Sequence, residues 1–307
     1  MVMKHLVYIM AWALAACGQA EKKSAASKKK TGPLQVMAVN YPLRYFAERI
    51  GGAHVRVSLP VPGDADPADW MPEGGQLRGF VVRVQQADLI LLNGAGYAKW
   101  IQHGTWREAQ TVHTAGTIRD SLLEVSKEHR QAHKHGAGRE HRHAGLAQTL
   151  WLNPRLAVRQ AEAIRDAFAR AKPDGKDVFA ANFEKLRTDL ESLGIGLPES
   201  TVPLLASHPV YQYLQSRFDL NIKSVHWEPG ELPPAAAWED LKKELKRRPA
   251  DWMLWEGEPL PATTKKLREL GIEPIVFDPC GNVPSEGDYL SVMRANFANL
   301  QKALSKR

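Results

Sequence analysis

Two series of short apolar runs alternate with helical patterns along this chain, and this alternation constrains its fold more than any other feature. The first series comprises strand patterns at 34–39, 54–59 and 88–93 and helical patterns at 41–50 and 74–86. The second comprises strand patterns at 204–207, 221–225, 252–255 and 274–277 and helical patterns at 211–218, 238–248, 263–270 and 289–304. Such alternation is typical of parallel sheets covered by helices.

Two long helical patterns, at 154–171 and 175–193, lie between the series, and Asn153 before Pro154 is suited to cap the first of them. The sequence therefore predicts an α/β fold with two parallel-sheet lobes, 34–153 and 195–307, joined by a long rigid helix within 154–194. Open α/β sheets bind ligands at the carboxyl ends of their strands. We expect a cleft between the lobes, lined by the loops at 61–71 and 207–209, the segment before Trp151, and the loop at 277–282.

The N-terminal segment indicates export. An apolar run from Leu6 to Ala16 follows Lys4 and is too short to span a bilayer, which takes about 20 residues. It ends in small residues before Cys17, a pattern that resembles the bacterial lipobox. We predict a signal peptide at 1–16, lipidation of Cys17, and a flexible tether at 17–33, which would place the protein at the periplasmic or extracellular face of a membrane.

The charge distribution argues against nucleic-acid binding. The formal net charge is +7, but Lys4 and a surplus of four lysines in the tether account for five of those charges, which leaves about +2 on the body. The tether lysines suit a segment near anionic lipid. Once Cys17 is used as an anchor, Cys280 has no partner for an intramolecular disulfide. We expect a monomer.

Six short motifs carry a family resemblance. They are Asp66-Pro67-Ala68-Asp69-Trp70, Asn93-Gly94-Ala95-Gly96, Leu150-Trp151-Leu152-Asn153-Pro154, Ala206-Ser207-His208-Pro209-Val210-Tyr211, Glu228-Pro229 and Asp288-Tyr289-Leu290-Ser291-Val292-Met293. Their order is that of the cluster A-I solute-binding proteins of ABC importers, which bind zinc or manganese, and the chain resembles that family from about Leu34 to its end. The resemblance implies two α/β lobes, a rigid linking helix and a buried metal site in the cleft.

The resemblance also implies four ligand positions, of which this sequence keeps two. His208 and Asp278 match the third and fourth positions, whereas the first falls on Ala68 and the second on Thr149. Alanine has no ligand atom, and a neutral threonine hydroxyl is a poor ligand for zinc. The chain is therefore a divergent member that lacks two of the usual histidines, and two ligands are too few for a tight zinc site.

A histidine-rich loop at 127–146 offers replacements. His129, His133, His135, His141 and His143 fall within fifteen residues, shortly before Thr149. We favour His141 or His143 as the donated ligand because they are nearest to the vacated position; for the rest of the loop a solvated charged segment is the competing interpretation. Imidazole-rich shells favour zinc over manganese, so zinc is the expected cargo, with manganese as the alternative.

Several further groups are candidates as ligands or as partners of ligands. Thr149, His133 and His135 stand near the expected site, and Cys280 lies two residues after Asp278. A buried, inert thiol is the competing interpretation for Cys280. Glu256 and Glu258 flank Gly257, and Glu258 with Pro259 resembles a family carboxylate; one of the two glutamates is a candidate to hydrogen-bond a ligating imidazole.

The resulting hypothesis is an extracytoplasmic, lipid-anchored protein that captures a divalent metal for the permease of an ABC importer and is not an enzyme. The alternative is a lipid-anchored adhesion or scaffold protein with a degenerate metal site. A zinc hydrolase, which needs an open coordination position, is a weaker rival because the sequence has no HExxH, GxSxG or P-loop pattern.

Overall fold

The computed structural model describes residues 32–125, 133–134, 140–141 and 145–305. Its first half contains a parallel sheet with the strand order β2-β1-β3-β4. The strands and helices of this half are β1 (Leu34–Ala38), α1 (Tyr41–Gly51), β2 (Val55–Ser58), α2 (Leu77–Gln85), β3 (Leu89–Leu92) and β4 (Thr111–His113). Asn40 starts α1, because its side chain accepts a hydrogen bond from the amide of Leu43 at 3.1 Å.

A second four-stranded parallel sheet has the strand order β8-β7-β9-β10. Its elements are β7 (Pro203–Ala206), α5 (Gln212–Phe218), β8 (Asn221–Ser224), α6 (Ala235–Arg247), β9 (Trp252–Trp255), α7 (Pro261–Glu269), β10 (Glu273–Val276) and α8 (Tyr289–Ser305). Counted from its own first strand, each sheet follows the order 2-1-3-4. All four residues of β9 are buried, as expected for a parallel strand covered on both faces.

Two helices connect the halves along the chain, α3 (Pro154–Ala171) and α4 (Lys176–Glu191). The predicted cap is present, since the Asn153 side chain accepts a hydrogen bond from the Arg155 amide at 3.0 Å. One apolar core runs from the first sheet through α3 and α4 into the second sheet and α8. The predicted fold class, two parallel-sheet α/β lobes joined by helix, is thus confirmed, and the linking segment consists of two helices rather than one.

The pattern missed some elements. Strand β4 was not predicted, because of its three residues only Val112 is buried and the apolar signal is too weak. The helix expected at 74–86 begins with a 3₁₀ turn, and α2 itself covers Leu77–Gln85. Within the histidine-rich loop, β5 (His133–Lys134) and β6 (Glu140–His141) form a two-stranded antiparallel pair. In the described ranges, no helix has the length and apolarity needed to traverse a bilayer.

Candidate metal-binding cleft

A cavity of about 640 Å³ opens where the loops of the two lobes meet. The four predicted loops all contribute to its lining, with Asp66 to Asp69, Thr149 and Trp151 from the first half and His208, Pro209, Asp278 and Pro279 from the second. Glu228 and Glu256 line it as well. The carboxyl ends of both sheets therefore face one pocket, which is where ligands bind in open α/β folds.

His208 lies two residues after the end of β7. Between them, the amide of Ser207 donates a hydrogen bond to the Leu254 carbonyl at 2.8 Å and so continues the pairing of β7 with β9. The His208 residue is 5% exposed. Its Nδ1 lies 3.1 Å from Oε1 of Glu228 and 3.8 Å from Oε1 of Glu256. Burial alone would lower the pKa of His208, but the hydrogen bond to Glu228 and the charge of Glu256 outweigh it, so the pKa is raised. The imidazole thus stands in a strongly negative environment.

Glu256 follows β9 directly, on the strand next to β7. Burial raises the pKa of Glu256 from 4.5 to about 7; the charge of His208 opposes this rise, and the nearby carboxylates, led by Glu228, add to it. Burial therefore disfavours the charged form of Glu256, and a cation bound beside it would stabilise that form. Glu228 comes after β8, where the Trp227 amide binds the Ser207 carbonyl at 2.8 Å and continues the pairing with the β7 segment.

Asp278 is held at the end of β10 by contacts to its backbone and side chain. Asn296 of α8 accepts a hydrogen bond from the Asp278 amide at 3.0 Å and donates one to its carbonyl at 2.6 Å. The Oδ1 atom of Asp278 accepts from the Cys280 amide at 2.7 Å. Burial raises the pKa of Asp278, and the hydrogen bond from Cys280 partly offsets that rise. Asp278 also lines the cavity.

The first lobe contributes carboxylates rather than imidazoles to the described part of the cleft. Asp66 accepts a hydrogen bond on Oδ1 from the amide of Ala68 at 2.9 Å, and its charge reaches both His208 and Glu256. Lys99 forms an ion pair with Asp69 at 2.7 Å. Thr149 donates its hydroxyl hydrogen to the Val210 carbonyl. That hydrogen bond ties Thr149 to the second lobe and gives its hydroxyl a structural role.

The predicted site residues separate into three groups. His208, Asp278 and Thr149 line the cavity. Cys280 is 2% exposed and adopts φ 56°, behind the lining, and burial together with the charge of Asp278 raises its pKa, as for an inert thiol. Glu258 is exposed and outside the lining, whereas its neighbour Glu256 is in it.

The histidine-rich loop is described only in part. The backbones of His133 and His141 are directly opposite each other in the β5–β6 pair. His129, His135, His143 and the proposed lipidation site Cys17 lie outside the described residues. Over the ranges that are described, no three His, Cys, Asp or Glu side chains are already grouped closely enough to hold an ion.

Sequence reasoning did not name Glu228 or Glu256 as leading candidates. Both stand after parallel strands of the second sheet, at the same edge as His208. The available signal was their position after strands, since parallel strands bring their carboxyl ends together. His226, with its ring centroid 5.6 Å from that of His208, was also overlooked.

Contacts between the lobes surround the cleft. Asn282 donates hydrogen bonds to the carbonyl oxygens of Pro62 at 2.6 Å and Ala65 at 2.8 Å. Trp151 donates from Nε1 to the Pro279 carbonyl at 2.6 Å. The loop that carries Asp278 is therefore hydrogen-bonded to the first lobe on both sides, and these contacts limit the movement of one wall of the cleft relative to the other.

Comparison with known proteins agrees with this arrangement. The sequence profile of ZnuA, the periplasmic component A of a zinc-uptake complex, matches residues 36–303. The chain belongs to the ZnuA family. This confirms the resemblance stated from the sequence motifs, and the description of the family is that of a component of zinc uptake.

Among its relatives, the zinc-binding lipoprotein AdcA of Streptococcus pneumoniae is 24% identical over 291 residues, 90% of this chain and 56% of that protein. The chain thus spans about half the length of that relative. The high-affinity zinc uptake protein ZnuA of Bacillus subtilis is 24% identical, with 95% of this chain and 93% of that protein covered. The manganese-binding lipoprotein MntA of Halalkalibacterium halodurans is 24% identical, with 77% and 76% covered.

Solved structures show the same fold. The Zn(II)-bound AdcA of Streptococcus pneumoniae matches with a TM-score of 0.74 at 21% identity, covering 90% of this chain and 59% of that one. A crystal structure of ZnuA matches with a TM-score of 0.66 at 24% identity, covering 89% and 100%. These likenesses establish the two-lobe architecture for the ZnuA-family chain described here.

Proposed function

We propose that this chain is the extracytoplasmic metal-binding component of an ABC importer, which captures a divalent transition metal in the cleft between its lobes. The observation that carries the proposal is His208, a buried imidazole after β7 that lines the cavity and lies beside the carboxylates of Glu228 and Glu256, in a chain of the ZnuA family. The relatives named for zinc, with one named for manganese, support zinc as the expected cargo and manganese as the alternative.

The electrostatics of the cleft suit a dication. Asp66, Glu228, Glu256 and Asp278 bring four carboxylates into the lining, while Lys99 is engaged by Asp69. Asp66 is exposed and the other three are half-buried, and carboxylates that lie close together repel one another unless a positive charge neutralises them. A divalent cation would supply that charge and at the same time release the proton shared between His208 and Glu228.

The architecture favours capture with little movement of the lobes. The continuous core through α3 and α4 and the contacts of Asn282 and Trp151 across the cleft resist a wide opening. Entry and release of the ion then take place by a small tilt of one lobe and shifts of the loops. The permease of the importer would recognise the ion-bound arrangement of the two lobes. Binding and releasing an ion in this way needs no chemical step, so we assign no catalytic activity to the cleft.

The N-terminal assignments belong to the same proposal. Residues 1–16 act as a signal peptide, Cys17 carries the lipid, and 17–33 form the tether to a body made of lobes 34–153 and 195–307 and linking helices 154–194. The relatives that are named lipoproteins support an anchor at the outer face of a membrane. The partners are then the membrane and an ABC permease, the body acts as a monomer, and nucleic acid is not a partner.

Calorimetric titration of the purified chain with Zn²⁺ and with Mn²⁺ tests the proposal. We expect one ion per chain with micromolar or tighter affinity, and a loss of at least 100-fold in His208→Ala, since removing one ligand of a four-coordinate ion costs several kcal/mol. His103→Ala is the matched control, because His103 is exposed and outside the cleft lining. Absence of binding to either ion would instead support the adhesion or scaffold alternative.

A further inference from the structure

We propose that Glu228 and Glu256 are ligands of the cargo ion and take the place of the two missing imidazoles, so that the ion is held by one imidazole and three carboxylates, with His208 and Asp278 completing the set. This inference rests on the proposed function and specifies the ligands and the class of ion. It predicts a site that accepts Mn²⁺ as well as Zn²⁺.

The topology places one donor at the end of every strand of the second sheet. His208 follows β7, Glu228 follows β8, Glu256 follows β9 and Asp278 follows β10, and all four line the same cavity. His208 and Glu256 stand on the adjacent strands β7 and β9, where the strand order reverses direction and ligands bind in open α/β sheets. The second lobe therefore supplies four donors without help from the first.

The distances around His208 are close to those within a metal shell. Metal bonds of about 2.1 Å to nitrogen and oxygen put two ligand atoms of one ion about 3.0–3.4 Å apart. Oε1 of Glu228 lies 3.1 Å from Nδ1 of His208, and Oε1 of Glu256 lies 3.8 Å from the same nitrogen. A shift of about half an ångström in the Glu256 side chain brings both oxygens to the spacing of ligands on one ion.

The competing role for these glutamates is to orient the His208 ring by accepting its N–H. One carboxylate is sufficient for that role, and here two approach the same nitrogen. Both side chains also remain about 30% and 28% exposed, and both line the cavity. An ion that enters the cleft can therefore reach their oxygens. Carboxylates that only orient the His208 ring would not need to be accessible from the cavity.

The donor types set the class of ion. Carboxylate oxygen suits Mn²⁺, whereas imidazole suits Zn²⁺, and any site of given donors still binds Zn²⁺ more tightly than Mn²⁺. Replacing two imidazoles by carboxylates therefore narrows the difference between the two affinities without reversing it. Ala68 and Thr149, the positions that lack histidine, line the same cavity at 8% and 9% exposure. Histidines introduced there would face the ion and widen the difference again.

The test combines X-ray absorption at the zinc edge with titrations of the full chain. We expect one imidazole per bound Zn²⁺, and at least tenfold weaker Mn²⁺ binding in both Glu228→Gln and Glu256→Gln. Glu258→Gln, an exposed neighbour outside the lining, is the matched control and should change the affinity by less than twofold. His141→Ala with His143→Ala should also leave the imidazole count at one. The double variant Ala68→His with Thr149→His should raise the Zn²⁺ to Mn²⁺ affinity ratio at least tenfold.

The outcomes separate this inference from the function it rests on. If the unmodified chain binds neither ion, the proposed function fails. If it binds with two or more imidazoles, the function stands and the carboxylate shell is refuted. The shell is refuted equally if both Glu→Gln variants keep their Mn²⁺ affinity within twofold. Urea unfolding of each variant without metal shows whether a loss of binding comes from a loss of folding.

Discussion

Replacing Glu256 by glutamine should stabilise the metal-free chain at pH 8 while weakening its metal binding. Burial raises the pKa of Glu256 from 4.5 to about 7, so the folded chain holds a proton on this side chain that the unfolded chain has already released. Stability therefore falls as the pH rises from about 4.5 through 7, and the full cost of the charge is present at pH 8. An amide carries no charge at either pH and avoids this cost.

The magnitude follows from the size of the shift. A pKa moved from 4.5 to about 7 corresponds to about 3 kcal/mol, since each pKa unit is worth about 1.4 kcal/mol. The Glu256 side chain is 28% exposed, and screening by water reduces the effect. We expect Glu256→Gln to gain about 2 kcal/mol at pH 8 and close to nothing at pH 4.5. The pKa of His208 is also raised, so in both proteins this residue makes the free energy of unfolding fall further as the pH rises.

Urea unfolding in the presence of a chelator, at pH 4.5, 6 and 8, measures the difference between the two proteins. Glu258→Gln should follow the unmodified chain at each pH, because Glu258 is exposed. The reasoning would be refuted if Glu256→Gln lost stability at pH 8, or if its stability fell with pH as steeply as that of the unmodified chain.

Three further predictions concern the loop of Asp278. The Cys280 thiol, whose pKa is raised by burial, should react with a disulfide reagent at pH 8 at least 100-fold more slowly in the native chain than in urea; equal rates would contradict its burial. Asn296→Ala should weaken Zn²⁺ binding about tenfold in calorimetry, because it removes the two hydrogen bonds that hold the Asp278 backbone. Asn299→Ala loses a hydrogen bond to the Val276 carbonyl of β10, and it should lower the free energy of unfolding without changing Zn²⁺ affinity. Asn282→Ala should lower the free energy of unfolding by about 1–2 kcal/mol and speed amide exchange in the loop 61–70; unchanged exchange would argue against a tie across the cleft.

The secondary structure of this protein is largely encoded in local pattern. The strand WMLW at β9 is predicted by its apolar residues alone, and the start of α3 is set by Asn153 and Pro154. His208 and Asp278 were found because they match motifs of a known family. Strand β4 was missed because a single buried valine among three residues carries too little signal.

The carboxylates of the cleft depend on information that local pattern lacks. Glu228 and Glu256 look like ordinary acids after strands, and they reach His208 because β8 and β9 lie on either side of β7. Strand order is set by packing over the whole lobe and cannot be deduced from the periodicity of one segment. The sequence also did not determine which of Glu256 and Glu258 lies beside His208. That depends on which of the residues after β9 faces the cavity, and the structure places Glu256 there.

Anomalous diffraction from crystals grown with Zn²⁺ tests most directly whether the chain carries metal between its lobes. The account predicts one strong peak in the cleft, within about 2.3 Å of a nitrogen of His208 and of an oxygen of Asp278. Data collected on either side of the zinc edge identify the ion. A cleft without a peak at saturating Zn²⁺, or a peak bound only to surface histidines, would contradict the account.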